Sequence, residues 1–113
     1  MNIQVESYGH AVILNLKGEL TEDVLASLHE AVEHQLEGPE VVDVVFSLDG
    51  VPFVDSAALE YLLNLRDRLA ERFGQVKLVK VDDNVMTILE VTRLRSSFEI
   101  YRDVPEAVKA IQA

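Results

Sequence analysis

The stretch Val41–Leu48, V-V-D-V-V-F-S-L, limits the possible folds of this chain more than any other segment. A strand with one solvated face alternates apolar and polar residues. A near-continuous β-branched run instead reads as a central strand covered on both faces. The cover must come from helices, and strand–helix–strand connections put helices against a partly parallel sheet.

The remaining segments supply those elements. Ile3–Ser7 and Ala11–Lys17 read as strands joined around Tyr8-Gly9-His10. In the second, Val12, Leu14 and Leu16 form an apolar face, while Ala11, Ile13 and Asn15 form a mixed one. Gly18-Glu19-Leu20-Thr21 ends that strand. Thr21 is placed to cap a helix whose first turn carries Glu22 and Asp23, where the helix dipole favours negative charge. Leu25, Leu28, Val32 and Leu36 follow at helical spacing, and Gly38-Pro39 stops the helix. After Val41–Leu48, Asp49-Gly50 turns and Val51–Val54 is again extended. From Ala57 to Phe73, the residues Ala58, Leu62, Leu65, Leu69 and Phe73 form one stripe. Glu60, Asn64, Asp67, Arg68 and Glu71 face away, and Gly74 ends the helix. Gln75–Val81 reads as a strand, Asp82 or Asp83 caps a helix running to Thr92, and Phe98–Tyr101 is a short strand. A last helix begins near Pro105. The order is ββαβαβαβα.

Several function classes are disfavoured by composition. The chain has 113 residues, the size of one domain with one core, and 49% of them are hydrophobic. Its 10 Lys and Arg face 20 Asp and Glu, a formal net charge of −10. Phosphate backbones and anionic membrane surfaces need the reverse balance, so no nucleic-acid partner and no direct membrane insertion are expected. There is no cysteine, hence no disulfide, thiolate metal site or thiol nucleophile. No basic segment followed by a long apolar run opens the chain, and no run approaches the ~20 residues of a membrane span. The simplest expected location is the cytoplasm.

The chemistry concentrates at Val54-Asp55-Ser56-Ala57-Ala58-Leu59, where a strand passes into a helix. The first backbone N–H groups of a helix lack partners within it, which makes the junction electropositive. A hydroxyl there can cap the helix, be modified, or be read by a partner. Asp55 suits a cap or turn. A hydrolase is the rival reading of Ser56, but a nucleophile elbow has Gly two residues to either side of the serine, and Val54 and Ala58 stand there. His10 lies in a hairpin, and His29 and His34 are five residues apart on one helix, on different faces. No general base or metal site is expected from them. Asp82-Asp83-Asn84 fits a helix cap better than a calcium loop, and Arg93 and Arg95 fit a solvated helix end. No Gly-rich phosphate cradle is present. The expectation is no enzyme, no cofactor and no metal.

The same element order, with Gly18-Glu19-Leu20, Val54-Asp55-Ser56, Ala57-Ala58-Leu59 and the passage Val91–Tyr101, resembles the STAS domain family, in particular bacterial anti-sigma factor antagonists. The resemblance implies a single α/β STAS domain over residues 1–113, with a four- to five-stranded mixed sheet and about four helices packed against it. It also implies that Ser56 accepts phosphate from an anti-sigma factor that is an ATP-using serine kinase, and that a phosphatase resets the site. Gly18, Glu19, Thr21, Asp55, Ala57, Ala58 and Leu59 are the expected partner-binding residues around Ser56, on a monomer or weak dimer. Ala58 stands where the family usually has Gly, and Thr21 where it usually has Asp after the Gly-Glu-Leu turn. Two further roles fit the same resemblance: a non-catalytic STAS subunit of a lipid-transport ABC complex, and a scaffold component of a stress-signalling complex.

Overall fold

In the computed structural model, which describes residues 1–38 and 40–112, the β-branched run lies at the centre of a five-stranded sheet ordered β1-β2-β3-β4-β5. β1 (Asn2–Tyr8) and β2 (Ala11–Lys17) form an antiparallel hairpin. β3 (Asp43–Gly50), β4 (Val76–Val79) and β5 (Glu99–Tyr101) continue parallel to β2. Among the described residues the α-helices are α1 (Leu25–Leu36), α2 (Ser56–Ala70), α3 (Asp83–Val91) and α4 (Val104–Gln112). The ββαβαβαβα order holds. A single 3-10 turn, Glu22–Val24, precedes α1, and another, Arg95–Ser97, precedes β5.

Both faces of β3 are buried, as its composition requires. Val44, Phe46 and Leu48 join Val12, Leu14, Leu16 and Leu78 under α1, α2 and α3, which contribute Leu28, Val32, Leu62, Leu65, Leu69, Val85 and Leu89. Each such leucine gains roughly 1.5–3 kcal/mol from leaving water. The other face is thinner: Ile13, Val45 and Val79 meet Ala107 of α4, flanked by Val104, Val108 and Ile111. This face also carries buried Asp43, Ser47 and Lys77. Asp43 Oδ1 accepts the Gln75 N–H at 2.8 Å, and Lys77 pairs with Glu99 and lies 5.4 Å from the Tyr101 ring centroid. Burial raises the Asp43 carboxyl above its usual range, opposed by the Gln75 amide, Lys77 and His10. Burial likewise lowers the Lys77 ammonium, opposed by Asp43.

Several local expectations are corrected. Phe73 is not part of the α2 stripe. It lies past the helix end with φ +61° and its side chain is 94% exposed, so it is Phe73 that adopts the left-handed conformation closing the helix. Gly74 serves a different need, because a Cβ there would stand 1.9 Å from the Val42 carbonyl oxygen. Asp49-Gly50 turns as expected, as the central pair of a turn closed by Val51 N–H to Leu48 O (3.1 Å), but the pair also belongs to the end of β3, where Gly18 N–H donates to Gly50 O (2.8 Å). Of Val51–Val54, only Val54 pairs, with Leu20. The strand expected over Gln75–Val81 shortens to Val76–Val79, because Lys80 turns to φ +54°. Asp82 caps α3 as expected, its Oδ1 accepting the Asn84 N–H at 2.7 Å. The helix stop assigned to Gly38-Pro39 falls in part on Pro39, which lies outside the described residues.

Candidate functional site

The Ser56 junction is held by pairing between two distant segments. Leu20 N–H donates to Phe53 O (2.9 Å) and Asp55 N–H donates to Leu20 O (3.2 Å), so Gly18-Glu19-Leu20 is laced to the segment that leads into α2. Gly18 has φ +109°, a backbone that favours glycine, and this lets the chain leave β2 toward that segment.

Asp55 is the N-cap of α2. Its backbone is extended (φ −99°, ψ 177°) and its Oδ1 accepts the Ala58 N–H at 2.8 Å. Its second oxygen, Oδ2, accepts the N–H of Glu22 at 2.9 Å. One carboxylate therefore caps α2 and also ties down the 3-10 turn leading into α1. This corrects the role of Thr21: it occupies the cap position of that turn, but its side chain makes no capping bond, and Asp55 supplies the acceptor from across the site. The Asp55–Glu22 bond joins residues 33 apart and has no local sequence signal.

Because Asp55 holds the cap, Ser56 is the first residue of α2 and is exposed. Around it Glu19, Glu22, Pro52, Phe53 and Glu60 are exposed, and Gly18, Thr21 and Ala57 are half-buried. Ala58 and Leu59 point into the core and are buried, so they shape the site from beneath. The rim is acidic, with Phe53 projecting as an apolar residue at 41% exposure. A cleft of about 300 Å3 adjoins it between α1 and α2, lined by Glu22, Leu25, Ala57, Glu60, Tyr61 and Asn64. Sequence reasoning missed Glu22, Phe53 and Tyr61. Phe53 could have been suspected as an aromatic residue in a short segment between strand and helix.

The three histidines are separate from one another. His10 Nδ1 lies 3.0 Å from Glu40 O, His29 Nδ1 lies 3.7 Å from Glu33, and His34 Nδ1 lies 3.7 Å from Glu37. No cluster of His, Cys, Asp or Glu able to hold a metal occurs among the described residues, and no helix among them is long and apolar enough to cross a membrane.

The STAS domain family matches residues 2–107. The chain is 36% identical over 81 residues to the intermembrane phospholipid transport system binding protein MlaB of Escherichia coli (strain K12), covering 72% of this chain and 79% of that protein. It is 23% identical over 114 residues to the anti-sigma F factor antagonist of Paenibacillus polymyxa, covering 99% and 97% of the two. The anti-sigma factor antagonist SpoIIAA, solved in its unphosphorylated form, superposes with a TM-score of 0.82 at 17% identity, over 98% of this chain and 96% of that one. With its mixed sheet, its strand–helix junction at Ser56 and this coverage, the chain belongs to the STAS domain family and has the fold of the anti-sigma factor antagonists.

Proposed function

We propose that the protein is a non-catalytic protein–protein switch. It binds an anti-sigma factor that is also a serine kinase, and phosphorylation of Ser56 turns that binding off. The observation that carries this reading is the division of labour at α2: Asp55 does the capping, so the Ser56 hydroxyl is exposed and spare. SpoIIAA, which shares the fold, has been solved in both unphosphorylated and phosphorylated forms.

A phosphoserine carries about −1.5 to −2 charges. At the first turn of α2 the helix dipole favours that charge by roughly 0.3–1 kcal/mol, so the domain stays folded. The partner feels the larger effect. It docks on Ser56, Asp55, Ala57, Glu19, Thr21 and Gly18, with Ala58 and Leu59 setting the surface from below. Long-range attraction to a basic partner is not what is lost. In the contact itself the phosphate must be stripped of water beside Asp55, Glu19 and Glu60, where its charge has no partner cation placed to pair with it, and that cost turns binding off. A phosphatase resets the site, and the switch works in the cytoplasm.

Incubation with the anti-sigma kinase of the same genome and ATP, followed by peptide mass spectrometry, tests the acceptor. Phosphate on Ser56, abolished in Ser56→Ala, is the expected result; phosphate on another residue, or none, contradicts it. The 36% identity to MlaB favours a second reading, a STAS subunit of a lipid-transport ABC complex. Co-purification with a transport ATPase, together with failure to become phosphorylated, would decide for that alternative.

A further inference from the structure

Cations are scarce in this chain, yet three of its ten Lys and Arg line one cleft at the C-terminal ends of β4 and β5. They are Lys80, Arg95 and Arg102, and the cleft, of about 390 Å3, is not lined by Ser56. The sheet brings two of them together. Val79 pairs with Tyr101 on the last rung and Lys80 N–H donates to Tyr101 O at 3.3 Å, so Lys80 and Arg102 leave the sheet as neighbours. Arg95 enters from the 3-10 turn before β5. Lys80 and Arg95 are exposed and form no ion pair among the described residues. Arg102 Nε lies 3.5 Å from Glu106 Oε2, the carboxylate that also lines the cleft. Lys80 holds φ +54°, a strained conformation for a side-chain-bearing residue.

Three cations against one carboxylate make this concave site positive in a molecule whose overall field repels anions. Met86, Ile100 and Tyr101 give it an apolar wall, and its volume exceeds that of a bare oxyanion. We propose that the cleft binds a small organic phosphate monoester, with the phosphate between Lys80, Arg95 and Arg102 and an apolar or aromatic substituent against Met86, Ile100 and Tyr101. A phosphate has three strong acceptor oxygens for the cationic donors, and a guanidinium can meet two of them at once.

The test is a titration of the whole chain with inorganic phosphate, phenyl phosphate and phenol at constant ionic strength, followed by amide 1H–15N chemical shifts. Saturable shifts at Lys80, Val81, Arg95, Tyr101 and Arg102 are expected with both phosphates. Phenyl phosphate should bind several-fold more tightly than phosphate, and phenol should bind not at all. Arg95→Gln and Lys80→Gly should each weaken phenyl phosphate by about tenfold, the loss of one charge-assisted hydrogen bond. Lys80→Gly also relaxes the strained backbone, so weaker binding with an undiminished melting temperature separates charge from folding. Glu106→Gln should tighten binding. Shifts scattered over the surface, no saturation, equal affinity for the two phosphates, or wild-type affinity in Arg95→Gln would overturn the proposal.

Discussion

Asp55 carries more of the junction than the serine beside it. Its two oxygens satisfy two backbone N–H groups on different elements, one in α2 three residues on and one before α1, 33 residues away. An N-cap is worth ~0.5–2 kcal/mol, and a hydrogen bond to a charged group ~1.5–3 kcal/mol. Asp55→Ala should therefore lower stability by about 2–4 kcal/mol in urea unfolding, while Ser56→Ala should stay within about 0.5 kcal/mol of wild type. Equal midpoints for the two variants would contradict the division of labour. Phe73 tests backbone cost in the same way. Its side chain is 94% exposed and its φ is +61°, so it gains little from burial and pays for its conformation. Phe73→Asn, which tolerates the left-handed region, should raise stability by about 0.5 kcal/mol; a loss would show that the ring makes a contact of value. Asp55 as a cap was legible in the V-D-S passage, but its second bond was not, because nothing local marks a contact across 33 residues.

Where α1 meets α2, Tyr61 packs edge-on to His29 with ring centroids 6.1 Å apart, and Arg68 pairs with Glu33. The Tyr61 hydroxyl is buried without a hydrogen-bond partner among the described residues. Burial, reinforced by Glu33 and opposed by Arg68, pushes its phenol up to about 12 from an ordinary value of 10.0. The folded state thus keeps a proton that the unfolded state gives up, so this group's contribution to stability is intact below pH ~10 and is lost as pH rises toward ~12. Thermal melts across this alkaline range should show a decline that flattens in Tyr61→Phe; an unchanged slope would assign the decline to other groups. At neutral pH the same substitution removes an unpartnered buried hydroxyl and should cost nothing measurable. Period and caps made the element order readable, since Leu25, Leu28, Val32 and Leu36 leave little choice but a helix. The ends were less readable. Strand β4 stops at Val79 because of the backbone at Lys80, and β3 runs through Asp49-Gly50 because Gly50 pairs with Lys17. Buried Lys77 and Asp43 escaped notice because their burial depends on α4 lying across the sheet, a contact that periodicity does not encode.

For the molecule as a whole, the charge of −10 and the acidic rim of Glu19, Glu22, Asp55 and Glu60 suit a basic partner surface. Association with that partner should slow as salt rises from low to physiological ionic strength, because the Debye length shrinks to ~8 Å. A salt-independent on-rate in stopped-flow mixing would show that charge does not steer the encounter. The central claim is that charge on Ser56 acts on the partner and leaves the fold alone. Its most direct measurement is calorimetric titration of the anti-sigma kinase with wild-type, Ser56→Asp and enzymatically phosphorylated protein, alongside their melting curves. Phosphorylation is expected to weaken affinity by on the order of a hundred- to a thousandfold, Ser56→Asp to shift it in the same direction, and stability to move by less than about 1 kcal/mol in both. Phosphorylated protein that binds as tightly as wild type, or that loses binding only because it unfolds, would contradict the claim.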